Sequence, residues 1–188
     1  MPDSKDLKRA ETLHGLRSEG LAGNPHLVKN AGRSSSPPPA GEEEEEQTCG
    51  MFGFLRGTRD RADMVRFCFR SGNSVSLAYH GLGGWEHQPS IGLLLKFTGD
   101  VVTLVLIQGS NLDAPVNSGG MNLTDRGLQR HRVTWIREMD QDELSKAGEA
   151  EPTIDAIEVA AFDSQDKLRQ WVRKKAPAFL DGALLPEP

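Results

Sequence analysis

Three side chains able to ligate a metal lie close together in the chain: His80, Glu86 and His87. Two imidazoles and a carboxylate supply three of the four ligands of a catalytic zinc, with water in the open position. Their spacing fits no established ligand motif, and adjacent residues such as Glu86 and His87 chelate one ion awkwardly from an extended loop. Ordinary loop histidines account for them more simply. A metal-dependent enzyme built on these three residues is therefore the alternative reading, and no resident metal or cofactor is expected.

Cys68 stands between Arg66 and Arg70, two residues away on each side. On a strand all three share one face, where two guanidinium groups would favour the thiolate. No general base lies near in sequence, so an inert, partly covered thiol is the plainer reading. The arginine pair could instead hold a phosphate or an acidic partner. Ser164-Gln165-Asp166-Lys167 matches the S-x-x-K of serine–lysine enzymes, but the accompanying S-D-N and K-T-G elements are missing. Capping and the helix macrodipole explain Ser and Asp at a helix start without catalysis. Gly81, Gly83 and Gly84 precede no helical pattern and form no phosphate-binding loop. H-E-x-x-H, G-x-S-x-G and C-x-x-C are also absent. The common catalytic routes thus lack their residues, and the reading leans away from an enzyme.

Trp85 sits in the same Gly-rich stretch, between His80 and His87. A loop aromatic of this kind anchors interfaces. The expected function is binding, most simply of another protein, through the loops at 80–90 and 109–120. Trp85, His80, His87, Arg66 and Arg70 are the candidate contacts. Trp135 and Trp171 are expected in the core.

The chain of 188 residues carries 22 Lys and Arg against 27 Asp and Glu, a net charge of −5. That balance makes nucleic acid an unlikely partner. The charge is uneven, however: residues 42–46 are consecutive Glu, and Arg173, Lys174 and Lys175 cluster near the C-terminus. A nucleic-acid-binding accessory protein using Arg66, Arg70 and that basic helix is the second alternative. The longest apolar runs, 91–95 and 101–107, fall far short of the ~18 residues of a membrane span, so no membrane partner is expected. No apolar segment follows the charged start and only two cysteines occur, which points to the cytoplasm.

Residues 1–61 read as a disordered arm, with a Ser/Pro stretch and the Glu run unable to offset the entropy of ordering. Met51 and Met64 are alternative points from which the folded chain could start. Residues 62–176 read as one domain and 177–188 as a flexible tail. Alternation over 65–70 and 74–79 about Ser71-Gly72-Asn73 predicts a hairpin. Residues 91–97 and 101–107 predict a second hairpin, so apolar that its strands are expected to be central and covered on both faces, or to have one face under a helix. A short helix over 122–131, a strand near 133–137 (unless the helix continues through Ile136), a strand over 154–162 and a final helix capped by Ser164 complete the pattern. The fold class is α+β: a small, mainly antiparallel sheet of about six strands in hairpins, with one or two packing helices.

Overall fold

A computed structural model describes residues 46–57 and 59–185. The described residues form two sheets. The first is five-stranded, in the order β1 (Glu46–Thr48), β2 (Phe52–Leu55), β8 (Val133–Arg137), β3 (Met64–Cys68), β4 (Ser74–Ala78). The second is four-stranded, in the order β5 (Leu82–Gln88), β6 (Gly92–Phe97), β7 (Val102–Gln108), β9 (Ala156–Phe162). Every pairing is antiparallel except β3 with β8. The α+β class and the antiparallel character agree with the sequence. Two stacked sheets replace the single sheet expected.

Three layers result. Val65 and Phe67 of β3, Phe52 and Phe54 of β2, and Ile136 of β8 meet Leu93 and Leu95 of β6 and Val105 and Ile107 of β7 between the sheets. The alternate residues Leu94, Leu104 and Leu106 face the other way, onto α2 (Gln165–Lys175) through Leu168 and Val172. The unbroken apolar runs of β6 and β7 therefore reflect burial on both faces. In β3 only one face is buried, and Arg66 points outward. Gly72 closes the β3–β4 turn at φ +87°, a conformation open to glycine at little cost.

The folded unit starts earlier than residue 62. Within the stretch read as an arm, Phe52 and Phe54 are buried, and β2 lies between β1 and β8. Arg132 closes the end of β2, donating from Nε (3.0 Å) and Nη2 (2.6 Å) to the Leu55 carbonyl. The Phe-Gly-Phe-Leu run is short and abuts the polar Glu-rich segment, so composition over a window hides it. Residues 1–45 of the expected arm lie outside the described residues. A chain starting at Met64 would lack β1 and β2, and with them two buried phenylalanines.

The C-terminal stretch also packs. A single turn at Pro177–Phe179 buries Phe179, and Leu185 is buried against the α2 layer. Residues 186–188 of the expected tail lie outside the described residues. The stretch 80–90 is not a loop: a turn at Tyr79–Gly81 leads into β5. Its glycines obscure the strand, but Leu82 and Trp85 supply an inner face, and the backbone pairs with β6 from Leu82 to Gln88. The helix expected over 122–131 shrinks to one π-helical turn at Thr124–Leu128. Gly127 packs there so closely that a Cβ would come within 2.7 Å of Val133 Cγ2. Conversely, the polar stretch 140–152 contains a helix, α1 (Gln141–Lys146).

Trp135 is not in the core. The β2–β8 register shifts between Gly53 and Phe54, and Trp135 lies on the outer face of the five-stranded sheet, across Gly53. Trp171 does pack inward, edge-on to Phe162 with ring centroids 5.8 Å apart.

Candidate functional site

The residues singled out by spacing do not converge. His80 is exposed in the turn before β5. Glu86 pairs with Leu94 and His87 with Leu93, which belong to different cores. Side chains directly opposite in a ladder share a face, so Glu86 and His87 point to opposite sides of the sheet. The Glu86 carboxylate lies against Gly182 of the C-terminal segment. Among the described residues no group of three or more His, Cys, Asp or Glu is placed to hold a metal ion. Trp85 faces inward opposite Leu95 and packs, half-buried, on the core between the sheets.

Arg66 stands on the outer face of the five-stranded sheet between Ser76 and Trp135. Cys68 ends β3 on that face, beside Arg137. Arg70 lies past the strand end, committed elsewhere: its N–H donates to Glu138 Oε2 (2.6 Å) and its guanidinium to the Asp155 carbonyl (2.5 Å). It clamps the two sheets and does not flank the thiol. The basic end of α2 lies beyond the four-stranded sheet, on the opposite side of the stack from Arg66. Lys175 there pairs with Glu158 at 2.9 Å. The two halves of the proposed nucleic-acid surface are therefore separated. Lys167 is held by Asp163 at 2.8 Å, which accounts for it without Ser164.

What the fold assembles instead is a cleft of about 560 Å³ at one end of the five-stranded sheet. Its walls come from three parts of the chain: the Cys49–Met51 turn, Pro115 and Val116, and residues 137–152 around α1. Each wall is fixed locally. In the turn, Gly50 adopts φ +94°, its N–H donates to Thr48 Oγ1 (3.1 Å), and Cys49 N–H donates to the Phe52 carbonyl (3.1 Å). In the long polar loop, Val116 N–H donates to the Met121 carbonyl (2.7 Å) and Met121 N–H to Asn117 Oδ1 (2.9 Å). α1 carries a capping box, with Glu143 N–H donating to Asp140 Oδ1 (2.8 Å) and Asp140 N–H to Glu143 Oε2 (2.9 Å).

Arg137 joins two of these walls. Its Nε donates to the Gly50 carbonyl and its Nη1 to Glu143 Oε2 at 2.8 Å, with Nη2 on Glu143 Oε1. The pair is bidentate, a geometry that orients as well as attracts. The guanidinium, together with the Asp140 backbone, holds the Glu143 carboxyl down at about 2, well below its ordinary 4.5. Burial pushes the Cys49 thiol above its ordinary value. Its Sγ donates to the Phe52 carbonyl at 3.4 Å.

At neutral pH Cys49 is thus a protonated thiol, and among the described residues no histidine lines the cleft to activate it. Arg137 and Glu143 satisfy each other. Met51, Met139 and Val116 supply soft apolar surface, and Lys146 and Glu151 place opposite charges on exposed parts of the wall. This arrangement can bind and orient a mixed apolar and polar ligand. The D-x-x-E of Asp140 and Glu143 was a readable helix-start signal. Nothing in the sequence joined it to Cys49 or Val116. No protein-family model, no curated protein and no solved structure matches this chain.

Proposed function

We propose that this protein is a binding module that takes a segment of another protein in the cleft between the Cys49–Met51 turn, Val116 and α1. The observation that carries the reading is the cleft itself. At about 560 Å³ it falls in the ~300–1,000 Å³ range of ligand sites. Methionine walls adapt to varied apolar side chains. The exposed Lys146 and Glu151 supply the polar selection that a peptide backbone and its charged residues can meet.

The loop at 109–120 keeps the contact role expected of it, through Pro115 and Val116. The stretch at 80–90 loses that role, because it is a strand whose Trp85 packs inward. The metal-dependent alternative has no support in the geometry of His80, Glu86 and His87. The nucleic-acid alternative has Arg66 and the α2 cations on opposite sides of the stack. No helix among the described residues is long and apolar enough to cross a membrane. Two free cysteines, Cys49 and Cys68, fit a reducing compartment such as the cytoplasm.

The test compares partner affinity for cleft and non-cleft variants. Val116→Asp and Ala150→Arg should each weaken binding at least tenfold, about 1.4 kcal/mol, whereas Arg66→Glu on the outer sheet face leaves it unchanged. Equal affinity for all three would refute the cleft as the site.

A further inference from the structure

β9 forms one edge of the four-stranded sheet. Ile157 N–H donates to Glu138 Oε1 at 2.8 Å, away from β7. Strand alternation then aims the backbone groups of Glu158 and Ala160 at β7, and those of Val159 and Ala161 at the open edge. Among the described residues nothing hydrogen-bonds Val159 or Ala161 there.

Exposed edges are commonly blunted by shortness, irregularity, covering segments, proline or lysine. β1 spans three residues and β4 five. The β5 edge has an irregular register between Leu82 and Gly84, and the C-terminal segment reaches it, with Leu184 beside Gly84 and Gly182 beside Glu86. Among the described residues β9 has none of these devices. It spans seven residues, Ala-Ile-Glu-Val-Ala-Ala-Phe, and pairs with β7 at every one without a shift. Ala161 is exposed and Val159 and Ala160 are half-buried.

We propose that this edge pairs with β9 of a second copy of the chain, antiparallel about a two-fold axis at Ala160. In that register Val159 faces the second copy's Ala161, and Ala161 its Val159. Both pairings are of the hydrogen-bonded type, so every outward N–H and C=O of these residues finds a partner. Ala160 faces its own equivalent in a non-hydrogen-bonded pair, where the chains approach to about 4.5 Å between Cα atoms. Two methyl groups permit that approach. Charge is compatible with this register and disfavours one competitor. Glu158 is the one ionisable residue of β9 and faces Phe162 of the second copy, whereas a two-fold centred on Glu158 would oppose two carboxylates. Lys175 already neutralises Glu158 at 2.9 Å. The joined edges make one continuous sheet across the dimer.

Sedimentation of the full chain over a concentration series tests this, together with crosslinking in a Cys49→Ser, Cys68→Ser background. The wild type should sediment as a dimer. Ala161→Pro should shift it to monomer with an unchanged circular dichroism spectrum, because the lost N–H points away from β7. If that variant fails to fold, Ala161→Lys, whose exposed side chain leaves β9 intact, should give the same shift. Ala160→Cys should form an intermolecular disulfide under mild oxidation, and Glu158→Cys should not. A monomer throughout, a dimer untouched by the Ala161 variants, crosslinking at 158 in place of 160, or a foreign strand occupying the edge would overturn the proposal.

Discussion

Replacing Phe52 with Ala tests whether β2 belongs to the fold. Phe52 is fully buried, packs against Phe54 with ring centroids 5.8 Å apart, and faces Ile136 of β8 in the ladder. Truncating a buried Phe costs roughly 3–5 kcal/mol, and the aromatic pair accounts for ~0.5–1.5 kcal/mol of such a loss. Against a total stability of about 5–15 kcal/mol this is a large fraction. At roughly 2–4 °C per kcal/mol the melting midpoint should fall by about 6–20 °C. The assay is thermal unfolding of the full chain followed by circular dichroism. Glu46→Ala, on the exposed edge strand β1, serves as the comparison and should stay close to wild type. A Phe52→Ala midpoint within a degree or two of wild type would refute the placement of β2 in the core.

Three further outcomes follow from the side-chain environments. Glu143 is held low in the folded chain, at about 2 against 4.5, so its charged form contributes stability above pH ~4.5 that is lost as pH falls toward 2. In denaturant titrations the gap between wild type and Glu143→Gln should close over that window, and a gap constant from pH 7 to pH 2 would contradict the assignment. Cys49, raised by burial, should alkylate slowly at neutral pH and speed up only above its ordinary thiol range near 9 in a Cys68→Ser background. Rapid labelling at pH 7 would show an open, activated thiol. Trp85→Ala should lower the melting midpoint, because the indole packs on the core between the sheets. A folded variant of wild-type stability that lost partner binding would restore Trp85 as a contact residue.

Much of the framework was legible because it is local. The β3–β4 hairpin follows from alternation about Ser71-Gly72-Asn73, and the β6–β7 pair from apolar runs that proved to be covered on both faces. α2 follows from Leu168 and Val172 at helical spacing. The errors have physical causes. Gly83 and Gly84 depress strand propensity in β5, yet the ladder with β6 overrides it. Phe52 and Phe54 are too few to signal a strand beside a Glu run, and only β8, eighty residues on in the chain, shows what they pair with. Trp135 looks like core until the register shift turns it outward. The cleft was not legible at all. Its walls come from three distant segments, joined by the guanidinium of Arg137 reaching both Gly50 and Glu143. No periodicity records such a meeting. His80, Glu86 and His87 illustrate the converse: closeness in sequence put Glu86 and His87 on opposite faces of one strand.

The most direct test of the cleft as a binding site is site-specific photocrosslinking in the cells that make the protein. A benzophenone side chain is placed in turn at Ala150, on the exposed cleft wall, and at Arg66, on the outer sheet face. One discrete protein adduct from position 150, absent from position 66 and abolished by Val116→Asp, is the predicted result. No adduct from position 150, or the same adducts from both positions, would contradict the account.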